Sequence, residues 1–445
     1  MSNTTANARS GEVDPEFPTI AIPNPAEGER DLSAILVKPH PNGGFVLGCQ
    51  NELYGQAPCL VRILADNSLD TGFGEAGYAY IDLSTESLPE TDGYLMSIHM
   101  LTDGKLLARL ETSVTLKGRH VTCLVLARFT GTGDKDPEFG SNGLQIHPLL
   151  GLPSVLPEPL RQPVRRVPEP REPRFPYEEY GDISVLADGK LLVLTTARDL
   201  TENTHRPYVL RLTDSGALDP TFNGNGLMEP DSYMWFKPYR MLVQSDDKLV
   251  ISGEHPGIHF IARFDQAGTL DTTFGNNGYF TDLELGNYDY SSFLKLLPDG
   301  SGNLVCSGQR GSQTPTERGV TVVCKIDSNG HAAADFNAGK TVVIEPREVG
   351  KAVLSTFDSF IDDSNRIVLG GRHLFIGENI GMEGFVARLL ANGQPDTSIA
   401  PDGVRYLTQF SSLLHMTPSL DSDNHYYATA SPVEGYPPRL YRLIA

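Results

Sequence analysis

The stretch IARFDQAGTLDTTFGNNG, residues 261–278, decides how the rest of the chain is read. It opens as an apolar strand carrying one basic residue, Arg263, and passes through a Gly-containing turn. It then reaches Leu270-Asp271-Thr272-Thr273-Phe274-Gly275 and returns at Gly278. An Asp in that place accepts a backbone N–H two or three residues on, as in an Asx-turn or an N-cap, and glycine permits the tight return. The phrase recurs as LVRILADNSLDTGFGEAG (60–77), LARFTGTGDKDPEFGSNG (126–143) and LRLTDSGALDPTFNGNG (210–226). Two weaker copies follow, VCKIDSNGHAAADFNAG (323–339) with Ala333 where the Asp belongs, and VARLLANGQPDTSIAPDG (386–403) with Ile399 for Phe. Arg62 and Asp70, Arg128 and Asp136, Arg211 and Asp219, Arg263 and Asp271, and Arg388 and Asp396 all stand eight apart. That spacing predicts that the base pairs with the Asp or with turn carbonyls, while the Phe fills the gap between neighbouring units. The copies return about every sixty residues, with one insertion.

A second phrase precedes the first in each unit: NGGFVLG (42–48), DGKLLARL (103–110), DGKLLVLT (188–195), DDKLVISG (246–253), SGNLVCSG (301–308), SNRIVLGG (364–371) and DNHYYATA (423–430). A tight polar turn between apolar runs is a hairpin signal, because Gly and Asn reach positive φ at little cost. Seven such turns give seven units, each read as four strands, as in AILVKPH (34–40), GFVLGCQ (44–50), CLVRILA (59–65) and YAYIDL (78–83). Short strands, frequent turns and no helical periodicity predict an all-β chain, a seven-bladed β-propeller of four-stranded antiparallel blades forming a single domain. The blades are expected near 33–83, 94–149, 182–229, 237–283, 291–345, 352–408 and 411–445, the last completed by 14–24. The seventh unit stops at LYRLIA (440–445) with Arg442 but no Asp-x-x-Phe, whereas Asp14-Pro15-Glu16-Phe17 and TIAIPN (19–24) supply those parts at the other end. The N-terminal strand is therefore expected to close the ring, with Phe17, Ile20 and Ile22 each contributing about 1.5–3 kcal/mol on burial.

The string D-G-K-L-L-V followed by A-R-F-x-x-x-G-x-L-D-x-x-F-G-x-x-G resembles the bacterial delta-60 repeat family, propeller proteins of unknown function. The similarity runs from about residue 14 to 445, strongest in the units ending at Gly77, Gly143, Gly226 and Gly278. It implies the fold and carries over no catalytic residue.

Composition narrows the partners. The net charge is −20, which disfavours nucleic acid and anionic membrane surfaces, since both are bound by Lys and Arg displacing counterions. Gly (44) and Pro (32) make up about 17% of residues, above the usual ~12% yet below the low-complexity range, so they mark turns. The first residues, MSNTTANARSGEVDPEF, lack the apolar core of a secretory signal, and no run of 18 apolar residues occurs. A cytoplasmic protein, or one exported by a route without such a signal, is the expectation, and a monomer. Cys49, Cys59, Cys123, Cys306 and Cys324 show no metal spacing; Cys49 with Cys59, and Cys306 with Cys324, fall on successive strands but are expected to stay reduced.

Neither a metal nor a cofactor is expected. Asp362-Asp363-Ser364-Asn365 and Asp421-Ser422-Asp423-Asn424 lack the Gly and distal Glu of an EF-hand loop and sit where a hairpin must turn. Pro256 and Gly257 exclude a zinc helix between His255 and His259. His99 and His415 fall on innermost strands, facing the central channel. Loops from second to third strand, and from one blade to the next, vary in length and share one face, the expected binding face. It carries the Pro-rich insertion GLPSVLPEPLRQPVRRVPEPREPRFPYEEYG (151–181) between blades two and three, with Arg161, Arg165, Arg166, Arg171 and Arg174 as a partner-binding strip. It also carries Tyr233, Trp235, Phe236 and Tyr239 leading into blade four, and Tyr288 and Tyr290 leading into blade five, as ligand-binding aromatics. The reading is a non-enzymatic binding module for a protein partner. A carbohydrate-binding propeller, and a hydrolase or lyase with an acidic site at the channel mouth, are the alternatives.

Overall fold

Apolar runs separated by polar turns make strands almost throughout. The computed structural model describes residues 10–25, 31–50, 57–83, 93–116, 119–149, 181–199, 204–229, 237–255, 258–281, 290–311, 319–347, 351–376, 380–419, 425–433 and 437–445. Blade 1 comprises β1 (Ser33–Pro39), β2 (Phe45–Gln50), β3 (Cys59–Ile63) and β4 (Tyr78–Tyr80); blade 2, β5 (Tyr94–Met100), β6 (Leu106–Leu116), β7 (Arg119–Phe129) and β8 (Leu144–Pro148). Blade 3 comprises β9 (Asp182–Val185), β10 (Leu191–Asp199), β11 (Thr204–Leu212) and β12 (Leu227–Met228); blade 4, β13 (Lys237–Val243), β14 (Leu249–His255), β15 (Ile258–Phe264) and β16 (Tyr279–Phe280). Blade 5 comprises β17 (Tyr290–Pro298), β18 (Leu304–Gly311), β19 (Val320–Ile326) and β20 (Val342–Ile344); blade 6, β21 (Lys351–Ile361), β22 (Ile367–Ile376), β23 (Ile380–Leu389) and β24 (Val404–Leu407). Blade 7 has β25 (Phe410–Pro418), β26 (His425–Pro432) and β27 (Arg439–Ile444). Within each blade the strands pair antiparallel in chain order; a single bridge, Asp199 to Val121, links the long hairpins of blades 2 and 3. This is the expected seven-bladed propeller. No helix among the described residues is long and apolar enough to cross a membrane.

The turn from first to second strand places its fourth residue at positive φ. Gly43, Gly104, Gly189 and Gly302 hold it in four blades, Asp247 (φ 62°) and Asn365 (φ 58°) in two. Asp and Asn are the side chains that tolerate the left-handed region best, so DDK and SNR are faithful versions of the DGK turn.

Ring closure is seen directly. Val13 bridges Leu443, Ile20 bridges Leu440, and Asp14 N–H donates to Arg442 O at 2.9 Å. The expected outer strand is broken into two short pairings, because Pro15, Pro18 and Pro23 have no N–H to give a ladder. Among the described residues, apolar side chains gather into seven clusters, each spanning two successive blades; the one joining blade 7 to blade 1 contains Phe17, Ile20, Ile22, Leu32, Tyr427 and Leu440. The five cysteines are buried and free, with Cys49 opposite Cys59 and Cys306 opposite Cys324 across paired strands. Burial, ahead of the mutual effect of neighbouring thiols, pushes Cys49 and Cys306 well above the ordinary thiol range.

Candidate functional site

Two polar systems run around the ring. The outer one is built by the repeat. Nε of Arg128, Arg211, Arg263 and Arg388 donates to Oδ2 of Asp136, Asp219, Asp271 and Asp396 at 2.6, 2.9, 2.8 and 2.7 Å. Arg62 and Asp70 are 3.3 Å apart, and Arg442 reaches Asp14 at 2.7 Å, which reassembles the motif from the two chain ends. Oδ1 of each Asp accepts the N–H two residues on, as in Asp136 with Glu138 (3.1 Å) and Asp14 with Glu16 (2.9 Å). The guanidinium then lies over the wedge ring: Arg128 on Phe139 at 4.6 Å, Arg263 on Phe274 at 4.7 Å, Arg442 on Phe17 at 5.1 Å. Its far nitrogen crosses to the next blade, Arg128 to Asp214 O and Arg263 to Ser328 O. Burial raises the Asp271 carboxyl, but Lys248, Thr273 and Arg263 outweigh it and hold the group well below the usual carboxylate range. In blade 5, Ala333 has no carboxylate, so Lys325 turns to Asp299 and Asp335, both at 2.9 Å.

The inner system uses one register of the first strands. Cross-strand pairing aligns Leu36 with Gly48, Ser97 with Arg109, Asp182 with Leu194, Arg240 with Ser252, Lys295 with Ser307, Asp358 with Gly370 and His415 with Thr429. These seven occupy equivalent places at the inner ends of the blades. In every blade except the third a register shift immediately precedes the residue. A bulge turns the following side chain out of the regular alternation, the usual means of re-aiming a functional group. Lys38 and His99 lie two residues further along β1 and β5.

The groups meet near the axis. Lys295 Nζ is 2.9 Å from Asp358 Oδ1, and His415 Nδ1 is 3.4 Å from Asp358 Oδ2. Ser359 N–H donates to Asp358 Oδ1 at 2.9 Å and Met416 N–H to Oδ2 at 2.8 Å. Asp182 is held in the same way by its own neighbour Ile183 and by Met241 of blade 4. His99 Nε2 is 3.0 Å from Ser97 Oγ. Leu36 departs from the pattern and packs into the cluster between blades 1 and 2. Burial first, then Lys38, Arg109 and Lys295, drives His99 down to about 3. Burial also drives His415 down to about 3; Asp358 opposes this, while Lys38, Lys295 and Arg240 add to it. Burial works against ionisation of Asp358, but Lys295, His415 and the Met416 N–H prevail, and it stays ionised far below the usual range. The ring thus offers fixed cations and neutral imidazoles, and its buried carboxylate carries no proton to donate.

His99 and His415 were legible as channel residues; Asp182, Arg240, Lys295 and Asp358 were not picked out. Their signal was present: each stands eight residues before the first-turn position held by Lys190, Lys248, Asn303 and Arg366. His415 stands ten before His425 because the last turn is longer. A second buried group also went unread. His373, fully buried on β22, faces Glu383 on β23 at 2.9 Å, and Arg347 reaches the same carboxylate at 2.7 Å while lying over the Tyr406 ring.

The expected ligand residues Tyr233, Trp235, Phe236 and Tyr288 lie outside the described residues, as do Arg161, Arg165, Arg166, Arg171 and Arg174. Tyr239 is on β13 and Tyr290 begins β17, so both lie at the inner edge of the ring. His255 and His259 flank a hairpin rather than a helix, since β14 and β15 pair up to His255 with Ile258. Asp362 accepts N–H groups from Ser364 and Arg366, so that acidic turn serves the hairpin. Its counterpart at 421–424 lies outside the described residues.

A domain of unknown function described as the DUF5122 β-propeller matches residues 186–222, from the first turn of blade 3 to its Phe222 wedge. No curated protein sequence matches the chain. Among solved structures, an inactivated virginiamycin B lyase from Staphylococcus aureus in complex with quinupristin superposes with a TM-score of 0.46 at 8% identity, covering 96% of this chain and 99% of that one. YCF48 from Cyanidioschyzon merolae gives 0.43 at 9% identity, covering 96% and 99%. The extracellular domains of Drosophila Semaphorin 1a give 0.44 at 8% identity, covering 97% and 88%. Over residues 186–222, one blade's worth of repeat, this propeller is similar to the DUF5122 β-propeller family, whose function is unknown.

Proposed function

We propose that the protein is a non-enzymatic binding module that presents variable loops to a protein partner. One observation carries this reading: the two faces differ in how far their loops vary. First-to-second-strand turns are five residues long in six blades (40–44, 101–105, 186–190, 244–248, 299–303 and 362–366). Third-to-fourth connections are fourteen long in five (64–77, 130–143, 213–226, 265–278 and 390–403). On the other face, connections range from two residues (117–118, 256–257) to thirty-three (149–181). A scaffold that is held constant on one face and varied on the other is how recognition loops are mounted. The insertion 151–181, with its five arginines in a chain of charge −20, is the strip best suited to an acidic protein surface.

The test is capture of partners by the full chain and by a variant in which 151–181 is replaced with a short Gly-Ser linker. A specific partner retained by the full chain and lost by the variant supports the reading; equal retention removes the insertion from it. A glycan reading draws on the aromatics of 230–236 and 282–289, which enter adjacent blades. It predicts glycan-array binding that Trp235→Ala abolishes.

A further inference from the structure

We infer that residues 10–24 are a strap across the seam of the ring whose grip tightens as pH falls, with His425 as the side chain that sets it. The inference concerns the rim of the disc and is independent of the loop face.

The strap touches three blades. Glu12 pairs with Arg405 on β24 at 3.0 Å, Val13 and Ile20 bridge Leu443 and Leu440 on β27, and Tyr78 Oη on β4 donates to Pro23 O at 2.8 Å. Its Asp14 takes the part that an Asp of the same blade plays elsewhere. In blades 2, 3 and 4 that Asp is held by two fixed cations, the Arg of the third strand and the Lys that ends the first turn. Lys105 is 3.1 Å from Asp136, Lys190 is 3.4 Å from Asp219 and Lys248 is 2.8 Å from Asp271. In blade 6 Arg366 takes the place of the Lys, 3.9 Å from Asp396.

The bond that closes the turn identifies the equivalent residue at the seam. Leu101, Leu186, Gln244 and Asp362 donate their N–H groups to the carbonyls of Lys105, Lys190, Lys248 and Arg366, and Ser419 donates to that of His425. His425 Nε2 lies 3.6 Å from Asp14 Oδ2. Blades 1 and 5 carry Gly44 and Asn303 there, which hold no charge at any pH. Of the seven residues in this place only the imidazole changes its charge between pH 5 and 8.

The groups around His425 are Asp14 of the strap and Arg442 of β27, which binds the same Oδ2, with Tyr427 hydrogen-bonded to that Arg442. Asp421 and Asp423 of its own turn lie outside the described residues. Burial raises the Asp14 carboxyl, but the Glu16 N–H, Arg442 and His425 outweigh it and hold it below the ordinary carboxylate range, so Asp14 is an anion throughout that window. Blades 2, 3 and 4 seat an ammonium beside the guanidinium around one Asp, so two cations are compatible with this geometry. An imidazolium facing an ionised carboxylate holds the strap more tightly than a neutral imidazole. Closure is therefore favoured at the acid end of the window and weakens toward the alkaline end.

The experiment is amide hydrogen exchange on the full chain at pH 5.5, 6.5 and 7.5, read by mass spectrometry and corrected for the intrinsic exchange rate at each pH. Peptides spanning 13–22 are expected to lose about threefold or more of their protection from pH 5.5 to 7.5, while peptides from β14 and β15 stay constant. His425→Lys is expected to keep the acid-end protection at every pH, and His425→Gln the alkaline-end protection. Strap protection that does not change with pH in the parent overturns the proposal. So does a pH dependence that survives in either variant, and if one variant fails to keep the parental melting temperature the other decides alone.

Discussion

The base of the third strand and the inner ring of the first strand are each set by one register repeated seven times, yet the two are filled by opposite rules. The first reads Arg62, Arg128, Arg211, Arg263, Lys325, Arg388 and Arg442; the second reads Leu36, Ser97, Asp182, Arg240, Lys295, Asp358 and His415. Every blade needs its outer turn locked to its neighbour, so the outer position tolerates only a cation. No blade needs any particular group at the axis, so that position is available for specialisation. Repetition marks what the fold requires, and departure from repetition marks what a single site uses.

The comparison breaks most visibly if the seventh outer lock is removed. Deleting residues 1–24 takes away Asp14, Phe17, Ile20 and Ile22, opening both the lock with Arg442 and the cluster between blades 7 and 1. Loss of cooperative unfolding by calorimetry is expected, and a melting temperature equal to that of the full chain contradicts ring closure. A smaller cut tests a single lock. Arg388 and Asp396 are almost wholly buried, so Arg388→Ala takes the nearest cation from a carboxylate left with only Ser398 and the more distant Arg366, and is expected to cost about 3 kcal/mol in urea unfolding. A cost below about 1 kcal/mol there would assign the recurrent base to something other than holding the turn.

The two systems also differ in pH. His99 and His415 are neutral in the fold, at about 3 against an ordinary 6.5, so the unfolded chain binds more protons between those values. Their contribution is complete above pH 6.5 and is lost as pH falls from there toward 3. The outer carboxylates Asp136, Asp271 and Asp396 also sit below their ordinary 3.8, so their contribution starts to be lost only near pH 4. Melting temperature is therefore expected to decline between pH 6.5 and 4.5 in the parent and to decline less steeply in His99→Gln/His415→Gln, the remainder coming from His147 and His40, which burial also holds below their ordinary value. An unchanged decline in that variant would move the sensitivity away from the axis.

Residues 261–278 and their copies were enough to predict the blades, the hairpins, the Arg–Asp pairs and the rejoined ends. Each of these is local in sequence or follows from a missing part in an otherwise regular series. Blade 5 shows the limit: Ala333 reads as a gap, and only in the folded chain does Lys325 take Asp299 from the preceding turn and Asp335 instead.

The sequence by itself determined the number of sheets, the order of strands within them and the need for the two ends to meet, because turn chemistry and apolar alternation act over a few residues. Tertiary structure alone decided which side chains face one another around the axis. Lys295, Asp358 and His415 are more than fifty residues apart from one to the next, and only packing of successive blades in the ring brings their charges within reach.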